Sequence, residues 1–144
     1  MRIWFDMDGT IANLYGVENW LEYLVNKDST PYRVAKPLIN MQVLARLLNN
    51  LQKKGIEIGI ISWLAKNSTV EYDNQVIKAK IEWLNIHLKS VKFNDIKIVP
   101  YGTPKENFGK ITDILFDDEE LNRKNWCGDA FDEKNIIEIL KELA

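Results

Sequence analysis

The stretch Ile3-Trp4-Phe5-Asp6-Met7-Asp8-Gly9-Thr10-Ile11-Ala12 limits what this chain can fold into more than any other part of it. Ile3, Trp4 and Phe5 form an apolar run of strand-forming type, and Gly9 permits a tight turn that a β-branched residue would resist. Asp6 and Asp8 therefore fall where a buried strand ends. In open α/β sheets ligands bind at that rim, where a pair of acids suits chemistry and does not suit a core. An Asx-turn would explain a single Asp-Gly pair, but two acids with one residue between them make a narrower pattern than a turn needs.

Beyond Ala12 the apolar spacing alternates between helical and extended. Residues 13–26 carry Leu14, Val17, Leu21, Leu24 and Val25 at near-helical spacing and read as a short helical piece. Lys27-Asp28-Ser29-Thr30-Pro31 is turn chemistry. Pro37 stands where a first-turn proline would open a helix over 37–54, with Leu38, Met41, Leu44, Leu48 and Leu51 on one stripe and Gly55 as its stop. A strand over 56–61, nearly continuous in apolar residues as a central parallel strand should be, ends at Ser62. The spacing then predicts a helix over 74–88, capped by Asp73 or Asn74, with Ile77, Ile81, Leu84 and Leu88 inward.

A third strand over 96–99 is closed by Pro100-Tyr101-Gly102-Thr103-Pro104, which fixes the loop before Lys105. The fourth, over 111–116, runs straight into Asp117-Asp118-Glu119-Glu120. A helical turn over 120–125, a brief extended piece over 126–130 and a helix over 132–143 complete the chain. Strands alternating with helices predict an α/β fold built on a doubly wound parallel sheet. One domain over 1–144 is expected, with residues 13–37 inserted as a small helical cap.

A chain of 144 residues can bury its own core without staples. A net charge of -2 argues against a general polyanion binder, so no nucleic-acid partner is expected. No apolar run approaches the ~20 residues that span a bilayer, so no membrane partner is expected either. The lone Cys127 has no internal disulfide partner and reads as a small buried hydrophobe. With no leader-like start, a cytoplasmic location is the expectation.

Parallel strands would bring four strand ends to one rim, and with them Asp6 and Asp8, Ser62, Lys105, and Asp117 with Asp118. In that order these stretches resemble the four motifs of the haloacid dehalogenase (HAD) superfamily, whose first strand ends in Asp-x-Asp-Gly-Thr. A narrower resemblance is to its 5'(3')-deoxyribonucleotidase-like branch. Phe5-Asp6-Met7-Asp8-Gly9 and Leu115-Phe116-Asp117-Asp118 match that form, and a lysine stands shortly before the acidic pair. Leu14 departs from it, standing where the branch tends to carry a base-stacking aromatic, although Tyr15 and Trp20 are close. The insertion is also shorter than the branch's full helical cap.

The resemblance implies a Mg²⁺-dependent phosphomonoesterase acting on a deoxyribonucleoside monophosphate or another small phosphate ester. Asp6 would be the nucleophile that forms an aspartyl-phosphate, and Asp8 the acid and base. Ser62, Lys105 and the turn at Gly9 and Thr10 would hold the phosphate. Asp6, the Asp8 carbonyl and one of Asp117 or Asp118 would hold Mg²⁺. General chemistry supports each assignment. A carboxylate can attack phosphorus and split one hard displacement into two. Clustered carboxylates repel unless a cation sits among them, and Mg²⁺ takes oxygen ligands. An acid two residues on can protonate the leaving oxygen and later deprotonate water.

Lys80, in the helix after the second strand, competes with Lys105 for the part of active-site lysine, and the rigid loop favours Lys105. Tyr15, Trp20, Trp63, Lys66 and Lys80 are candidates for the substrate pocket. Three alternatives stay open: a HAD-shaped domain that binds Mg²⁺ and phosphate without turnover, phosphotransfer to an acceptor other than water, and a pocket completed by a second subunit in a homodimer.

Overall fold

A computed structural model describes all 144 residues. The apolar run Ile3 to Phe5 lies in β1 (Arg2–Phe5), each of its three side chains almost fully buried. Between β1 and the first long helix the chain forms β2 (Ala12–Asn13), a 3-10 turn (Leu14–Gly16), α1 (Trp20–Val25), α2 (Thr30–Val34) and β3 (Lys36–Pro37). Helix α3 (Met41–Lys53), β4 (Glu57–Trp63), α4 (Val70–His87) and β5 (Asp95–Val99) follow. A 3-10 turn (Lys105–Phe108), β6 (Ile114–Phe116), α5 (Glu120–Asn125), β7 (Asp129–Phe131) and α6 (Ile136–Leu143) complete it.

Strands β5, β4, β1, β6 and β7 lie side by side in that order, and every pairing between them is parallel. The expected α/β architecture is present. Side chains of β1, β4 and β6 alternate between two faces, as the pleat requires. Ile3, Phe5, Ile58, Ile60, Ile114 and Phe116 join the main core with Leu44, Leu48 and Leu51 of α3, Trp83 and Leu84 of α4, and Ile136 and Leu140 of α6. Trp4, Ile61 and Leu115 face the other way, under Trp126 and Phe108. The winding is thus lopsided: long helices cover one face, and a 3-10 turn with the end of α5 closes the other. Gly59 belongs to this thin layer, because a Cβ there would lie 2.5 Å from Trp4 Cε3.

Register places the functional rim. Phe5 is level with Ile60 on one side and Phe116 on the other. The next residues, Asp6 and Asp117, consequently leave the sheet side by side, and the Asp6 N–H donates to the Phe116 carbonyl at 2.9 Å.

Several boundaries differ from the sequence expectation. Residues 13–26 are not one helical piece: Ala12 and Asn13 pair antiparallel with Pro37 and Lys36, which closes the segment between them into a loop. Pro37 therefore sits in an extended pair and does not open a helix. Helix α3 starts four residues later, where the Asn40 side chain accepts from the Gln42 and Val43 N–H groups, and Leu38 is left exposed. Helix α4 begins earlier than predicted, because the Thr69 hydroxyl caps it by accepting from the Tyr72 N–H. Its buried face is Tyr72, Val76, Ala79, Lys80, Trp83 and Leu84, and Ile81 is exposed.

Strand β6 is shorter than the apolar run implied. Asp113 turns inward to accept from the Arg2 N–H, the Trp4 indole and the Lys110 N–H, which leaves Ile111 outside at 81% exposure. The last helix likewise starts later, after Asp132 has capped a separate 3-10 turn (Glu133–Asn135). Cys127 is exposed rather than buried.

Candidate active site

Asp6 emerges from β1 into the rim with Lys105 Nζ 2.9 Å from its Oδ1 and the Thr10 hydroxyl 2.9 Å from its Oδ2. Lys105 also donates to Asp117 Oδ2 at 2.7 Å, so one buried ammonium bridges acids from the ends of β1 and β6. The loop that delivers it is fixed at both ends. Gly102 takes a positive φ of 83°, and the Thr103 carbonyl accepts from the Trp63 indole at 2.8 Å. Burial works against the Lys105 charge, but Asp6 and Asp117 outweigh it and hold the ammonium above its ordinary range.

Asp117 is fully buried and accepts three hydrogen bonds, which leaves a lone pair free on its Oδ1. Its Oδ1 accepts from the Glu119 N–H, and its Oδ2 accepts from Asn122 as well as Lys105. Asp118 is turned toward Thr10, whose Oγ1 lies 3.2 Å from Asp118 Oδ1 and accepts the Asp118 N–H at 3.1 Å. Gly9 makes this approach possible: its φ is 80°, and a Cβ would lie 2.3 Å from Asp118 Oδ2.

Carboxylate oxygens of Asp6, Asp117 and Asp118 lie within 4.8 Å of one another. Burial, and then the Asp6 charge, push both Asp117 and Asp118 above the usual carboxylate range. The Thr10 hydroxyl sits between Asp6 and Asp118 with a single proton, enough to satisfy only one of them. A hard divalent cation fits this donor set, since it would take the oxygens that lack a proton and offset the repulsion. The Asp8 side chain does not join the cluster.

Asp8 is held instead by Lys80, whose Nζ is 2.9 Å from Asp8 Oδ2, 2.6 Å from Ser62 Oγ and 2.8 Å from the Trp63 carbonyl. Burial raises the Asp8 pKa, and Lys80 opposes the rise. The two lysines read from sequence as rivals are therefore both buried at the rim, each on a different acid. Ser62 is fully buried beneath Lys80. The Gly9 and Thr10 N–H groups, taken in sequence as phosphate donors, are spent inside the turn, on the Ala12 and Met7 carbonyls. The Met7 and Asp8 N–H groups have no acceptor in the protein.

Above the acids opens a cleft of about 240 Å³. Tyr15 and Trp20 of the insertion meet edge to face at 5.1 Å on it, and Trp63 and Tyr101 meet at 5.0 Å. Lys66 also lines it, with Nζ 4.7 Å from the Tyr101 ring centroid. Lys80 does not reach it. Sequence reasoning missed Tyr32, Tyr101, Glu119 and Asn122, all of which line the cleft. For Asn122 a signal was present: a helix opening directly after the acidic run swings a residue one turn in back over Asp117.

No protein-family model matches the sequence, and no curated protein matches it. Among solved structures the chain is similar to the HAD domain of the effector protein Lem4 from Legionella pneumophila, at 15% identity and a TM-score of 0.42, over 91% of this chain and 83% of that one. No helix is long and apolar enough to cross a membrane.

Proposed function

We propose that the chain is a HAD-type, Mg²⁺-dependent phosphomonoesterase acting through an aspartyl-phosphate on Asp6. The observation that carries this reading is the convergence of Asp6, Asp117 and Asp118 within 4.8 Å, with Lys105 bridging two of them at the open end of a parallel sheet. Asp6 is largely buried but lines the cleft, and its carboxylate is oriented by Lys105 and Thr10. Asp6, Asp117 and Asp118 would hold Mg²⁺, which supplies neutralisation of the phosphate and of the carboxylates around it.

The Met7 and Asp8 N–H groups, adjacent to Asp6 and unpaired, are better placed than those of Gly9 and Thr10 to take phosphate oxygens. Lys105 shares in that duty from the other side. Asp8, also on the cleft, protonates the leaving oxygen and then accepts a proton from water. The cleft size favours a small ester. Its aromatic pairs, Tyr15 with Trp20 and Trp63 with Tyr101, favour a leaving group with a flat apolar face, of which a nucleoside is one.

Hydrolysis of p-nitrophenyl phosphate with Mg²⁺ and with EDTA tests the reading. Turnover that requires the cation and vanishes in Asp6→Asn is the expected result. Absence of turnover would favour a domain that binds Mg²⁺ and phosphate only. A following screen of phosphate esters that includes deoxynucleoside 5'- and 3'-monophosphates defines the substrate.

A further inference from the structure

Of the two buried lysines, Lys105 has a task in the chemistry above and Lys80 has none. Lys80 is 1% exposed and does not line the cleft, so it cannot be a substrate contact. An ammonium has three donors, and all three of these are committed, to Asp8 Oδ2, Ser62 Oγ and the Trp63 carbonyl. Ser62 and Trp63 close the inner strand β4, so two of the three anchors belong to the rigid sheet. The Tyr32 ring flanks the same nitrogen, 5.2 Å from centroid to Nζ. Asp8 Oδ1, by contrast, accepts no hydrogen bond from the protein.

We infer that Lys80 is a positioning residue for Asp8: it clamps one carboxylate oxygen to the end of β4 and so aims the other at the leaving-group oxygen of the substrate. This rests on the phosphomonoesterase reading. A buried ammonium–carboxyl contact is weak evidence for a role in stability, because apolar residues in its place are often neutral or better. In the first step the bond from Asp6 to phosphorus forms, the ester P–O bond breaks, and the departing oxygen takes the proton of the Asp8 carboxyl. In the second, water attacks phosphorus and gives a proton to Asp8, and the bond to Asp6 breaks.

Departure of p-nitrophenolate, a stable anion, needs little help from that proton, whereas departure of phenolate needs more. The test measures kcat/KM, which covers steps only as far as loss of the leaving group, for wild type and Lys80→Met on both p-nitrophenyl phosphate and phenyl phosphate. Lys80→Met should lose about a hundredfold on phenyl phosphate and remain within about fivefold on p-nitrophenyl phosphate. An equal loss on both would overturn the inference and leave the phosphomonoesterase reading standing. Wild type that cleaves the nitrophenyl ester alone would also overturn it, since there would be no working acid to aim. Wild type inactive on both would remove the underlying reading and the inference with it.

If Lys80→Met does not fold, Asp8→Asn is compared with the double variant Asp8→Asn/Lys80→Met, which removes both charges of the pair. Equal kcat/KM in the two supports action through Asp8. A further drop in the double variant overturns it.

Discussion

Lys105 divides its charge between two carboxylates, 2.9 Å from Asp6 and 2.7 Å from Asp117, at a place water hardly reaches. Removing it would leave two buried acids facing each other without a counter-charge. Lys105→Met is therefore expected to lower the free energy of unfolding by about 3 kcal/mol in a denaturant titration and kcat/KM by about 10²–10³-fold. Asp6→Asn should behave oppositely: its amide oxygen can still accept from Lys105 or Thr10, so the fold should persist while kcat falls by at least about a thousandfold. Gly9→Ala should weaken Mg²⁺ binding, read by calorimetric titration, because its Cβ would drive Asp118 away. The acids at the strand ends and Lys105 were legible in sequence because each follows an apolar run or a rigid loop, whereas Lys80 lies inside α4. That both lysines would be buried was not legible, since a lysine's burial depends on what its stem crosses. Glu119 was hidden for the same kind of reason: nothing local distinguishes it from a solvated polar residue.

Helix and strand cores were legible from apolar spacing, while their ends were set by single side chains that compete with it. Asn40 fixes the start of α3 by accepting two N–H groups, overriding the proline at 37, which the β2–β3 pair had already claimed. Thr69 does the same for α4 and Asp132 for the last 3-10 turn. Asn40→Ala should cost about 1 kcal/mol of stability in thermal or chemical unfolding and leave kcat unchanged, because α3 carries no residue of the site. The segment between β1 and α3 is held to α4 by other means. The Trp83 indole donates to the Ala35 carbonyl at 2.7 Å, and Tyr32 packs with Tyr72 and Val76 of α4. Those contacts join residues far apart in sequence, and periodicity does not report them.

The whole molecule places its acids around one point and its long helices on one face, so its stability should respond to protons and to metal together. Burial and mutual repulsion raise the pKa values of Asp8, Asp117 and Asp118 in the folded state. In metal-free protein the fold then binds more protons than the unfolded chain at pH values above the ordinary carboxylate range. Stability should therefore fall as pH rises through that window. Melting in EDTA at about pH 5 and about pH 8 should show the lower midpoint at the higher pH. Mg²⁺ should raise the pH 8 midpoint most, a hundredfold excess over its dissociation constant adding about 2.7 kcal/mol of stability. The most direct measurement is chemical trapping of the covalent species. Protein quenched with borohydride during turnover of p-nitrophenyl phosphate in Mg²⁺ should yield a peptide with homoserine in place of Asp6, and none when Mg²⁺ is omitted. Reduction at another acid, or active protein that yields no reduced residue at all, would contradict the account.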